Sequence, residues 1–107
     1  MASSGIGSTG HLMTEALNSS AGISILHVPY RGSAEALQDT LAGVVSMFAD
    51  PTVAVHVRAG KVRLLAVTGS RHPEYPDAPT FAETYPDANF IPWNALFAPK
   101  GTPTPVV

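Results

Sequence analysis

Strand-like and helical stretches alternate along this chain of 107 residues, with glycine, serine or proline at the joints. Apolar spacing predicts helices over residues 8–20, from Ser33 to Gly43 and from Asp50 to about Ala59. The predicted strands are Ile23–Val28, Val44–Ala49, Val62–Thr68 and Asn94–Ala98. Strands separated by single helices need right-handed crossovers, so the pattern predicts an α/β three-layer sandwich with a mainly parallel sheet.

Several joints carry residues with known positional preferences. Pro29 is expected to end the first strand because it has no amide hydrogen for the ladder. Ser33 is expected to cap the second helix, and Asp50 the third. Thr80 opens a capping-box pattern that predicts a short fourth helix. The apolar run Val62–Thr68 is expected to be buried on both faces, as a central parallel strand is.

Composition narrows the class of protein. The hydrophobic fraction of 45% and charged fraction of 13% exclude a disordered chain. The net charge of −2 and the lack of a basic patch argue against a nucleic-acid partner. There is no cysteine, so neither a disulfide framework nor a thiolate metal site is expected.

Neither a membrane span nor a signal peptide is evident in the sequence. No apolar run approaches the roughly 20 residues of a span. Met1 leads directly into a small, polar stretch instead of a leader sequence. We therefore expect either a cytosolic protein or one piece of a longer secreted protein.

The best candidate site is the edge where the parallel strands end. Ligands of such sheets bind beyond the carboxyl ends of the strands, where this chain has small polar residues. Ser8 or Thr9 can cap a helix whose free amides and dipole hold a carboxylate. Gly32 allows close approach of a ligand, and Ser33 offers a hydroxyl. Arg31 either pairs with an anion or is a solvated loop side chain.

Asp50 follows the second predicted strand and has two possible roles. It caps the next helix, or it accepts a hydrogen bond from a ligand hydroxyl, an amine or a bridging water. Its carboxylate makes that helix start a poor anion site. The residues assigned to ligand binding are Ser4, Gly7, Ser8, Thr9, Tyr30, Gly32, Ser33 and Asp50.

The segment Gly5–Gly10 matches G-x-G-x-x-G and leaves a nucleotide-binding alternative open. That motif needs a preceding strand, yet only four residues precede Gly5. It also needs an acidic residue about twenty positions later, whereas His27–Arg31 contains none. A flexible turn, or a turn that holds a carboxylate, fits the segment better.

Catalytic and metal-binding patterns are weak. There is no G-x-S-x-G, and the four histidines lack ligand spacing, so we expect no enzyme activity, metal or cofactor. His11 and His27 either line a cleft or are structural, and His56 is expected to face solvent. No nucleophile–base pair is evident in the sequence.

A resemblance to a known family is carried by several segments, above all Ser4–Ser8, His27–Gly32 and Ala59–Thr68. They resemble the second lobe of the TctC/Bug solute-binding proteins of tripartite tricarboxylate transporters. The segment Ser4–Ser8 with His11 and Leu12 resembles the opening of that lobe, and His27–Gly32 resembles its H-V-P-Y-K-G motif, with Arg31 for lysine. Ala59–Thr68 is similar to A-G-K-L-R-A-L-A-V-T. Further similar segments are Phe48–Asp50, which departs from the family's F-D by one residue, Pro79–Glu83 and Leu96–Pro103.

The resemblance covers almost the whole chain and implies one lobe of a type II periplasmic-binding-protein fold, at residues 1–107. It implies a periplasmic domain without catalysis, which holds an organic-acid or amino-acid carboxylate through backbone amides and waters. Membrane permease subunits would be partners of the full-length parent. The first lobe and the signal peptide are absent from this chain, so an inactive fragment is a further alternative.

An isolated lobe would expose surface that the other lobe covers. We expect Trp93, Phe97 and the tail from Pro99 to Val107 to be exposed and to favour a homodimer or a higher assembly. With half of the ligand's contacts missing, we expect carboxylate binding no tighter than about millimolar.

Overall fold

The computed structural model describes residues 1–93, 95–103 and 105. The chain forms a small α/β unit with one parallel pair of strands and four helices among these residues. In chain order the elements are β1 (Ala2–Ser3), α1 (Thr9–Ala21), β2 (Val28–Pro29), α2 (Ser33–Leu41), a 3-10 turn at Pro51–Val53, α3 (Ala54–Arg58), α4 (Phe81–Thr84) and a 3-10 turn at Pro86–Ala88. In the described part of the chain, every helix is too short or too polar to cross a membrane.

The strand β1 lies between two partners. Ala2 pairs with Val28 and Ser3 with Pro29 in parallel register, while Ala2 also forms a parallel bridge to Phe48. The Ala2 amide donates to the Met47 carbonyl at 2.8 Å on that second side. Both residues of β1 are fully buried, so this short strand is the centre of the small sheet.

The first predicted helix is confirmed as α1. Ser8 is its N-cap, and Gly22 ends it in the left-handed conformation at φ 63°. The buried face contains Gly10, Met13 and Thr14, whereas Leu12 is 42% exposed. Leu12 stays partly in solvent because α1 packs against β1 and the turn Pro86–Ala88 through its other face.

The next two helices are also confirmed, with one correction at a cap. Gly32 is the N-cap of α2, and Ser33 is the first helical residue, so Ser33 does not cap the helix as expected. Asp50 does cap the 3-10 turn that leads into α3, with Pro51 in its first position. Thr80 precedes α4, although its side chain makes no capping hydrogen bond.

The four predicted strands are largely wrong. Of Ile23–Val28 only the last residue belongs to a strand, and Val44–Ala49 contributes a single bridge, at Phe48. Val62–Thr68 forms one bridge, from Val67 to Thr80, and Leu65 is 59% exposed, so this segment is not a buried central strand. Asn94 lies outside the described residues, and 95–98 form no strand.

The predicted strands are absent for a physical reason, because a strand requires a partner backbone as well as an apolar sequence. Pro29 is the last residue of β2, as expected, but the reason differs from the predicted loss of a ladder donor to the neighbouring strand. The ladder donors to β1 are the amides of Val28 and Tyr30, each at 3.0 Å from a carbonyl oxygen, so the missing amide of Pro29 faces the open edge.

The residues that follow α4 leave apolar side chains in solvent. Trp93 is 75% exposed and Phe97 is 85% exposed, as expected for this segment. The homodimer and the assignment of the chain as one lobe of a two-lobe protein stay predictions.

Candidate functional site

Three parallel segments end at the same edge of the small sheet. β2, β1 and the bridge residue Phe48 lie side by side in that order, so the chain leaves all three in one direction. The loops that follow, together with the first residues of α1 and α2, contain every residue predicted to bind ligand. Ser4, Gly7, Ser8 and Thr9 follow β1; Tyr30, Gly32 and Ser33 follow β2; Asp50 follows Phe48.

The β1–α1 loop, residues 4–8, is shaped by glycine and by one buried serine. Gly5 has φ 138° and Gly7 has φ 81°, conformations that other residues rarely adopt. The Ser3 hydroxyl donates to the Gly5 carbonyl at 3.0 Å and accepts from the Gly5 amide at 3.2 Å. The loop therefore exposes backbone in a fixed conformation, with no Cβ atom at Gly5 or Gly7.

The start of α1 is a positive helix end with no acidic residue in its own first turn. The Ser8 hydroxyl accepts from the His11 amide at a long 3.4 Å, and the first turn contains no acidic residue. The Thr9 amide has no partner among the hydrogen bonds of the described residues. Free amides and the helix dipole favour an anion at this position.

The start of α2 is electrostatically different. The Ser33 hydroxyl donates to Oδ2 of Asp50 at 2.7 Å, while Oδ1 of Asp50 accepts from the amide and the hydroxyl of Thr52 at 2.9 and 2.7 Å. Glu35 adds a second carboxylate in the first turn. Ser33 has already used its proton, and the nearby negative charges oppose an anion here.

Tyr30 does not offer its hydroxyl to this edge. Its hydroxyl donates to Oδ2 of Asp39 at 2.7 Å, and this hydrogen bond is the main reason that the pKa of Tyr30 is raised. Its carbonyl oxygen would lie 3.5 Å from a Cβ atom at Gly5, so the two loops approach each other through backbone. Arg31 is exposed, as a solvated loop side chain would be.

Two histidines adjoin the β1–α1 loop. The rings of His11 and His27 stack with centroids 4.1 Å apart and planes 13° apart. Nδ1 of His11 accepts from the Gly7 amide at 3.0 Å, and Nε2 of His27 lies 2.6 Å from the Ser3 hydroxyl. The stacking of these two rings was not predicted from the sequence. The only signals there were the positions of His11 just after a predicted helix start and of His27 near a predicted strand end.

The contact between Ser3 and His27 is not the arrangement of an active nucleophile and base. Ser3 is fully buried and its hydroxyl already bonds Gly5, so a substrate has no path to it. Burial is the main cause that lowers the pKa of His27. Among the described residues there is also no group of three or more metal-ligating side chains.

One premise against a nucleotide site is corrected by the structure. A strand, β1, does precede Gly5, although it is only two residues long. The other premise stands, because β2 is followed by Tyr30 and Arg31, with no carboxylate for a ribose. Nothing else in the structure supports the nucleotide alternative.

Two open cavities lie away from this edge. One, of about 390 Å³, is lined by Met1, Leu26 and Val44 among others, and lies where the parallel segments begin. The other, of about 520 Å³, lies between residues 63–65 and 74–79. Neither is lined by a predicted site residue, so the candidate site is an open edge of the isolated chain.

Comparison with known proteins gives a consistent result. The family model described as the tripartite tricarboxylate transporter family receptor, TctC, matches residues 1–107. A UPF0065 protein from the tcbD–tcbE intergenic region of Pseudomonas sp. (strain P51) is 43% identical over 111 residues, which cover 99% of this chain and 33% of that protein. Protein BugT of Bordetella pertussis is 41% identical over 106 residues, covering 95% of this chain and 32% of BugT. The chain thus spans about a third of the length of these relatives.

Proposed function

Because this chain belongs to the TctC family of tripartite tricarboxylate transporter receptors, we propose that it is the part of an extracytoplasmic solute-binding protein that holds a small carboxylate. The observation that carries the proposal is the family match along the whole chain. The chain acts by binding and not by catalysis. The ligand is an organic acid or an amino acid, and the full-length protein presents it to membrane subunits of a transporter.

The proposed carboxylate site is the start of α1 together with the β1–α1 loop. The first turn of α1 lacks acidic residues. At the start of α2, by contrast, Asp50 and Glu35 supply negative charge. The remaining contacts to the ligand belong to the part of the relatives that this chain does not span, which limits the affinity of the chain alone.

Amide resonances of this chain during addition of succinate and of citrate test the proposal. We expect shifts at residues 5–11, smaller shifts at 32–35, and half-saturation at about millimolar or weaker. Sulfate serves as the control for general anion binding, and a nucleotide such as NAD as the control for the alternative. Shifts centred on α3, or a response to NAD alone, would contradict the carboxylate site.

A further inference from the structure

The stacked pair of His11 and His27 holds the β1–α1 loop at two points. His11 accepts a hydrogen bond from the amide of Gly7, and His27 contacts Ser3, whose hydroxyl bonds both backbone groups of Gly5. Gly5 and Gly7 have no side chains of their own with which to fix the loop. The conformation of the proposed carboxylate site therefore depends on these two imidazoles.

The hydrogen bonds define where the protons are. Since the Gly7 amide is a donor, Nδ1 of His11 carries no proton, and the proton of the neutral ring is on Nε2. A second proton on this ring would go to Nδ1 and place it against the Gly7 N–H, so that bond would be lost. The rings are only 4.1 Å apart, so two positive charges on the pair would also repel each other.

We propose that His11 and His27 are positioning residues of the carboxylate site, and that the neutral pair holds the β1–α1 loop in the conformation that binds the anion. This inference rests on the proposed function of the loop. Histidine is the side chain that changes charge near neutral pH. Protonation of Nδ1 of His11 would release the Gly7 amide, so we expect acidification to weaken the binding of carboxylate.

Few other charged groups face the pair. The amino group of Met1 disfavours a positive charge on His27, and Glu15 on α1 favours it more weakly. β1, which packs against α1, has no charged side chain, and the turn Pro86–Ala88 carries only the exposed Asp87. Burial of His27, the largest of these influences, lowers its pKa and favours the neutral pair.

The first measurement needs no ligand. In the wild-type chain the Gly7 amide resonance should move between pH 8 and pH 5. In His11→Asn it should stay still, because the Asn carbonyl occupies the place of Nδ1 and accepts from Gly7 without titrating. His72→Asn is the matched control, since Nδ1 of His72 also accepts a backbone amide, that of Glu74, at 3.2 Å and far along the chain from the loop. In His72→Asn the Gly7 amide resonance should move with pH as it does in the wild-type chain.

The second measurement is succinate affinity across the same pH range, corrected for the titration of succinate itself. Loss of one hydrogen bond corresponds to about a fivefold change, so wild-type binding should weaken by about that factor on acidification. His11→Asn should keep its affinity throughout, and His11→Leu should be weak at every pH. Unfolding midpoints of the variants identify any loss that arises from misfolding.

The outcomes distinguish the positioning role of the two histidines from the proposed carboxylate-binding function of the chain. Binding that strengthens on acidification and disappears in His11→Asn would make the imidazole an attracting charge and overturn the positioning role. A Gly7 resonance without pH dependence would overturn it as well. Absence of succinate binding at every pH would overturn the proposed function, while the Gly7 measurement would still decide whether the pair holds the loop.

Discussion

The starts of α1 and α2 occupy equivalent places after neighbouring parallel strands, yet their chemistry is opposite. At α1, a serine caps the helix, the first turn has no acidic residue, and the helix packs tightly through Gly10. At α2, the cap is a glycine without a side chain, and the first serine of the helix bonds Asp50. Equal topology therefore does not give equal electrostatics, because the local side chains decide which helix start carries nearby negative charge.

The largest expected difference between the two starts is in packing. A Cβ atom at Gly10 would lie 3.0 Å from the Ala49 carbonyl oxygen and 3.1 Å from Cβ of Ser3, whereas one at Gly32 would meet nothing within 4 Å. We expect Gly10→Ala to lower the free energy of unfolding by about 1–3 kcal/mol. Gly32→Ala, at extended backbone with φ 177°, should change it by less than about 0.5 kcal/mol.

Urea denaturation of the two variants gives both values from the transition midpoints. Equal midpoints would show that α1 moves away from β1 without cost. That result would contradict the proposal that the β1–α1 loop is held in one conformation.

A smaller difference is expected in ligand binding when each serine is removed. Ser8→Ala loses the N-cap of α1, which costs about 0.5–1 kcal/mol of stability, and we expect about a fivefold loss of succinate affinity. Ser33→Ala removes a hydroxyl that already donates to Asp50 at 2.7 Å, so succinate affinity should change by less than about twofold. Titration calorimetry at one pH measures both. A larger loss in Ser33→Ala would place the anion at α2.

Much of the difference between the two helix starts could be predicted from the sequence. The features that could not be predicted have physical causes. Helix ends were predictable because Gly22 and the Asp50–Pro51 pair act through local backbone chemistry. Strands were not, because pairing depends on residues far apart in the chain. Val62–Thr68 is as apolar as a central strand but forms a single bridge among the described residues.

The same limit applies to the site. The order of the elements predicted where the candidate site should lie, and all eight predicted residues are in the loops or at the helix starts of one edge. The direction of individual side chains did not follow. Tyr30 bonds Asp39 and Ser33 bonds Asp50, which sequence spacing does not show. The strand β1 was missed because two small residues form no recognisable pattern.

The smallest expected effect is a dependence of stability on pH that arises from His27, which adjoins the β1–α1 loop. Burial lowers the pKa of His27, so the unfolded chain takes up a proton at higher pH than the folded chain. The contribution of His27 to stability is complete above about pH 6.5, and it is lost as the pH falls through the lowered pKa.

Urea midpoints from pH 8 to pH 5 should therefore fall on acidification, and His27→Gln should flatten that decline. His56→Gln, a change on α3, is the control and should leave it intact. A slope of the opposite sign would mean that the folded chain stabilises the charged imidazole.

The central position of β1 has a consequence for how the chain folds. Ala2 and Ser3 have partners at Val28, Pro29 and Phe48, so this strand is complete only when much of the chain has been brought back to its beginning. Each of these closures costs loop entropy before any contact is gained, which slows folding relative to a chain with local contacts. During synthesis β1 can be completed only after residue 48 has left the ribosome. The helices α1 and α2 can form earlier, so the edge that carries the predicted site residues assembles after them.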